Sequence, residues 1–174
     1  MRRVVKTAIR AVAIGAAICS VSAVPGPVSA EAIGEQTFVR VVAGTHGEEQ
    51  PRTSRVVARG VVNAVGTQRF DADIEGDDSS YHSFVFPRGA ISAKATMEQF
   101  DLSIDPRSCM GILTEVGRED IISGTGAYTG AKGSGTLSGR GPVTAERNPD
   151  GSCNENRLHY VLVIRYTGTL HIPS

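Results

Sequence analysis

The chain has no excess of basic residues that would mark a nucleic-acid binder: 18 Lys and Arg are balanced by 18 Asp and Glu. Arg2, Arg3, Lys6 and Arg10 fall within residues 1–30, where there is no acid, so residues 31–174 carry 14 basic and 18 acidic side chains, a net charge of −4 (14 − 18). The basic footprint that a phosphate backbone requires is missing, and no nucleic-acid partner is expected. A membrane-spanning run is missing too. The apolar stretch Ala11–Val24 is bounded by Arg10 and by Pro25-Gly26-Pro27 and falls short of the ~20 residues that a helical span needs. There is no Gly-x-Ser-x-Gly, His-Glu-x-x-His or Gly-x-x-x-x-Gly-Lys-Ser/Thr pattern, which argues against ordinary hydrolases and nucleotide enzymes. Without a Cys-x-x-Cys or a His cluster, neither a metal centre nor another cofactor is expected.

What is present at the N-terminus reads as an export signal. Arg2, Arg3 and Lys6 form a positive start, the apolar stretch follows, and Val28-Ser29-Ala30 offers small residues for cleavage after Ala30. The expected mature protein is then secreted and 144 residues long (174 − 30), the size of one domain with one core. Cys19 leaves with the signal. Cys109 and Cys153 remain in a chain bound for an oxidising compartment, where an even pair reads as a disulfide. The loop it closes spans 44 positions (153 − 109), worth roughly 4 kcal/mol in the chain-entropy account.

Beyond residue 30 the hydrophobic pattern has period two and no sustained helical period, so an all-β domain is expected. Thr37–Val42 alternates around Phe38. Residues 55–65 read as one strand, with Val56, Ala58, Gly60, Val62 and Ala64 forming a small apolar face suited to a narrow barrel. Asp71–Asp78 reads as an acidic loop, and Ser80–Phe86 as a strand leading into a turn at Pro87-Arg88-Gly89. Ile91, Ala93, Ala95 and Met97 are odd-numbered while Phe100, Leu102 and Ile104 are even, which predicts a bulge or break near Glu98-Gln99. After the turn Asp105–Ser108 come a strand over 109–116, a shorter one around Ile121-Ile122, a strand over 135–144 and a last one over 158–167. In that last strand Leu158, Tyr160, Leu162, Ile164 and Tyr166 share one face. About eight short strands fit a single antiparallel barrel, with a two-sheet sandwich as the alternative.

Between the last two strands but one lies Gly124-Thr-Gly-Ala-Tyr-Thr-Gly-Ala-Lys-Gly133, a glycine-punctuated corner with Tyr128 as its one large side chain. Gly124, Gly126, Gly130 and Gly133 suit a tight turn pressed against other backbone, a structural role rather than phosphate binding. This corner resembles the Gly-Gly-Thr/Ser-Gly-aromatic-x-Gly-Ala-x-Gly element of the superfamily containing allene oxide cyclases and dirigent proteins, with Ser123 in place of the first glycine. Phe86-Pro-Arg-Gly89, Asp105-Pro-Arg-Ser-Cys109 and the corner follow one another as in exported bacterial members of unassigned activity. The resemblance implies an eight-stranded antiparallel, calycin-type barrel with an apolar lumen. It transfers no catalytic residue, and such folds host enzymes, guiding proteins and inert scaffolds alike.

Several residues are candidates for chemistry. Glu115 and Glu98 stand on strands; either, if turned inward, would be a desolvated general acid or base, although charged residues more often face water. His82 shares its parity with Phe84 and Phe86 and so points inward, as an acid–base group or as a structural histidine. Tyr160, Tyr166 and Phe84 are candidates to line a ligand site, with packing as the plainer explanation. Arg59 and Arg165 have outward parity. The expected function is luminal binding of a small apolar molecule. A cyclase or isomerase steering a reactive intermediate is one alternative, and a filled barrel acting through its surface is the other. The sequence does not fix the oligomeric state.

Overall fold

The computed structural model describes residues 31–45, 53–73 and 79–174. The expected signal with its cleavage point after Ala30, the polar loop 46–52 and residues 74–78 of the acidic stretch lie outside the described residues. Eight antiparallel strands form a closed barrel in sequence order: β1 (Ala32–Thr45), β2 (Thr53–Gly60), β3 (Ala64–Asp73), β4 (Ser79–Phe86), β5 (Gly89–Asp105), β6 (Met110–Gly124), β7 (Lys132–Arg147) and β8 (Cys153–Ile172). The expected barrel is therefore found, and the sandwich is not. The seam is β8 on β1, paired from Ala32↔Ile172 to Thr45↔His159, and this closure removes the sheet edges that would otherwise invite aggregation. Among the described residues no helix is long and apolar enough to cross a membrane.

Two strand boundaries differ from the sequence reading. Residues 55–65 are not one strand but the end of β2, a turn, and the start of β3. Gly60 adopts φ 125°, and the Asn63 side chain donates to the Gly60 carbonyl at 2.6 Å, so the chain reverses where the apolar alternation continues unbroken. The turn is tied inward by buried Gln36, whose Oε1 accepts from the Val62 N–H at 2.7 Å and whose Nε2 donates to the Val62 carbonyl at 3.2 Å. Gly60 and Ala64 consequently do not provide room in the lumen, and Ala58 is packed in the core. The strands read at 109–116 and around 121 are a single one, β6, whose inward face carries Leu113, Glu115, Gly117, Glu119 and Ile121. The bulge expected near Glu98 is present as a register shift between Met97 and Gln99.

The two halves of the barrel are packed differently: aromatic rings fill one end, and a second, aliphatic cluster that includes Leu113, Leu137, Val143, Leu158 and Leu162 packs the end that carries the disulfide. Phe38 stacks on Phe84 with ring centroids 4.5 Å apart and on Tyr166 at 5.5 Å, and Phe86 meets Tyr128 edge-on at 5.9 Å. Ile91, Ala131, Leu170 and Ile172 complete this plug. Tyr128 is delivered by the glycine corner, a single 3-10 turn over Gly126–Tyr128 that bridges β6 and β7 across the barrel end. Gly126 and Gly130 there have φ 61° and 77°, while a side chain at Gly124 would run into the Tyr128 carbonyl oxygen and one at Gly133 into that of Thr169.

At the other end Cys109 and Cys153 form the expected disulfide, with Cα atoms 5.4 Å apart. It ties the β5–β6 turn to the first residue of β8. Asp105 shapes that turn by accepting from the Arg107 N–H at 3.0 Å and the Ser108 hydroxyl at 2.9 Å. These bonds hold the exposed Asp105 carboxyl below its ordinary pKa.

A luminal cup as the candidate functional site

Above the aromatic plug the described residues leave cavities in the lumen, and the transition is marked by buried charge. Arg40 follows Phe38 on the inward face of β1, and Glu119 follows Glu115 on that of β6. Arg40 Nη2 donates to Glu119 Oε2 at 2.9 Å, with side chains 4% and 0% exposed. The guanidinium carbon lies 5.5 Å above the centre of the Phe84 ring. His82, on β4, places Nε2 3.5 Å from the same Glu119 oxygen and packs edge-on against Phe84. Burial works to raise the Glu119 pKa, but the Arg40 charge and then the His82 contact outweigh it and hold the carboxyl at about 2. The pair is thus an internally compensated ionic layer across the barrel. Its remaining polar atoms, Arg40 Nε and Nη1, His82 Nε2 and Glu119 Oε1, find no hydrogen-bond partner among the described residues.

The cup opens over this layer. A cavity of about 240 Å³ is lined by Arg40, His82, Gln68, Ala95, Leu137 and Ile164, with Glu115 on its wall. A second, of about 190 Å³, adjoins it along Val42, Glu115 and Ile164 and is walled by Leu113, Leu158, Tyr160, Leu162 and Phe100. Gln68 accepts from the Ser54 hydroxyl at 2.9 Å, which occupies its oxygen. The remaining lining of the larger cavity mixes Val42, Phe70 and Met97 with the hydroxyls of Thr53, Ser54 and Ser80, and with one exception neither cavity carries a carboxyl.

Glu115 is the exception. It is 8% exposed, and burial raises its carboxyl pKa while the Arg40 charge opposes the rise. No hydrogen bond from a described residue acts on this carboxyl. Room for it comes from across the ladder: Gly139 on β7 pairs with Glu115, and a side chain at Gly139 would collide with the Glu115 carboxyl group. Gly135, on the same face, is likewise covered by the Tyr166 ring. Glycines on the inward face of β7 therefore make room for the Glu115 carboxyl and the Tyr166 ring.

The sequence-predicted residues divide between plug, cup and surface. Glu115 turns inward, against the commoner outward reading of a strand glutamate, and His82 is buried as its parity indicates. Glu98 is exposed at the β5 bulge and takes no part in the cup. Tyr160 borders the outer cavity. Tyr166 and Phe84 are fully buried in the plug beneath the cup, where the Tyr166 hydroxyl donates to the Thr169 carbonyl at 3.0 Å, so they do not line the ligand space. Burial, and then the Glu119 charge, push the Tyr166 phenol well above its ordinary pKa. Arg59 and Arg165 face outward. Gly124, Gly126, Tyr128, Gly130 and Gly133 form the plug's turn.

Arg40 and Glu119 are absent from the sequence-based candidates. Arg40 has the parity of Phe38, which was a usable signal. Glu119 was hidden by reading β6 as two strands. Among the described residues no group of three or more His, Cys, Asp or Glu is placed to hold a metal ion. No protein-family model, curated protein or solved structure matches this chain.

Proposed function

We propose that the protein is an exported barrel of the allene oxide cyclase-like or dirigent-like kind that holds a small apolar molecule in its lumen. The supporting observation is the space left in the interior: an aromatic plug closes one end, and a cavity of about 240 Å³ with mixed aliphatic and polar lining lies above the ionic layer. Apolar burial at roughly 25 cal/mol per Å² gives such a cup useful affinity for a ligand of modest size. The compensated Arg40–Glu119 pair adds polarity at the base without presenting a net charge. A ligand would contact Val42, Ala95, Leu137 and Ile164, with Tyr160 at the outer wall.

One observation favours a second reading, isomerisation within the lumen. Glu115 is a desolvated carboxyl on the wall of the ligand space, and such a group, protonated, can give its proton to one carbon of a bound molecule and take one back from another. No external reactant is needed.

Thermal-shift screening with lipophilic compounds tests the binding reading when it is repeated on Ala95→Phe, which puts a ring into the cup. Stabilisation of the wild-type protein that is lost in Ala95→Phe is the expected result. Binding indifferent to Ala95→Phe would move the function to the outer surface of the barrel.

A further inference from the structure

Glu115 has a chemistry that the rest of the cup does not share. Beneath it Arg40 is engaged by Glu119 at 2.9 Å, and its more distant charge offsets only part of the effect of burial on Glu115. Around it stand Val42, Leu113, Leu158, Leu162 and Ile164. A carboxyl with no hydrogen-bond partner among the described residues in such a lining is favoured as the neutral acid, because a carboxylate there loses hydration that the Arg40 charge only partly offsets. The neutral acid carries one O–H donor, and once a ligand displaces water from the cup that donor carries a free-energy penalty unless the ligand offers it an acceptor.

From this placement we infer that the cup's ligand is an uncharged apolar molecule bearing a carbonyl oxygen, which accepts a hydrogen bond from the Glu115 carboxyl while the hydrocarbon part fills the aliphatic wall. This rests on the luminal-binding reading and gives the ligand a chemical class. An ionic ligand fits less well. A carboxylate would bring a second acid against Glu115. What would draw it in is Arg40 Nε and Nη1 at the base, unpartnered among the described residues, rather than Glu115, so competition by nonanoate separates the two. An ammonium would have to leave water together with an ionised Glu115, and desolvation costs several kcal/mol per ion. A plain hydrocarbon fits the walls but leaves the Glu115 donor unmet.

The test compares 2-nonanone, nonane, nonylamine and nonanoate as competitors of a fluorescent lipophilic probe on the wild-type protein, Glu115→Gln and Glu115→Leu. Both substitutions remove the acid without creating an unpaired charge, and glutamine keeps an N–H donor. A single neutral hydrogen bond contributes about 0.5–1.5 kcal/mol, roughly a 2- to 12-fold effect. Wild-type protein and Glu115→Gln should therefore prefer 2-nonanone over nonane by a factor in that range, and Glu115→Leu should lose the preference while still binding nonane. If nonane binds wild-type protein as tightly as 2-nonanone does, the cup stands and the carbonyl assignment falls. Tightest binding of nonylamine, lost in Glu115→Gln, would show that Glu115 acts as an anion and would also overturn it. A preference for nonanoate has the same consequence. Failure of all four to bind any of the three proteins would remove the luminal-binding reading itself.

Discussion

Glu115 and Glu119 lie four residues apart on the same inward face of β6, yet their environments drive their carboxyls in opposite directions. Glu119 meets Arg40 at 2.9 Å and is held at about 2, whereas Glu115 has only the more distant influence of that charge and is raised. A carboxyl depressed below its ordinary value of 4.5 contributes stability that is complete above that value and lost as the pH falls through about 2. Glu119→Gln leaves Arg40 buried without its partner and should cost about 3–5 kcal/mol at pH 7, as measured by urea unfolding. The gap to wild type should narrow between pH 4.5 and 2, because the wild-type carboxyl becomes protonated over that interval. A gap that stays constant over the interval would contradict the assignment of the pair. At this scale the sequence was partly legible. The inward parity of His82 could be read directly, but charge on an inward position is the exception to the rule that places it outside, so Glu115 ran against the rule and Arg40 went unmarked.

Strands and turns were more legible than single charges, because alternation reports a whole face at once. The face of β8 from Leu158 to Tyr166 and the parity change at the β5 bulge are both found where the pattern puts them. The β2–β3 reversal was not legible, since Val61 and Val62 carry the apolar pattern through the turn and only Gly60 and Asn63 interrupt it. The two halves of β6 looked separate because Gly117-Arg-Glu-Asp120 resembles a polar turn, whereas Gly117 and Glu119 face the lumen and Arg118 faces water. The glycine corner is an element-scale device that makes its own prediction. Gly126 and Gly130 hold left-handed conformations, and at Gly130 a side chain would also press on Pro173, near the end of the chain. Gly126→Val and Gly130→Val should each lower the thermal midpoint by several degrees, in keeping with a cost of about 1–2 kcal/mol for a non-glycine residue in that region. Either variant melting like wild type would remove the structural role of the corner.

For the molecule as a whole, closure of the barrel and asymmetry of its filling work together. The 44-position disulfide loop and the β1–β8 seam hold the wall shut, the plug fills one end with aromatic rings, and the aliphatic packing of the other end leaves cavities of about 240 and 190 Å³. A solidly filled barrel would have only its exterior to offer, where Val41, Val161 and Val163 are exposed. The two cavities are what support the proposed luminal site. Methyl-resolved NMR of the protein during titration with 2-nonanone tests this most directly, since leucine, isoleucine and valine methyls mark plug, cup and exterior separately. The account predicts saturable shifts at Val42, Leu137, Leu162 and Ile164, with Leu170 and Ile172 in the plug and Val161 and Val163 on the exterior unmoved. Shifts confined to the outer valines, or no saturable shift at the cup methyls, would contradict it.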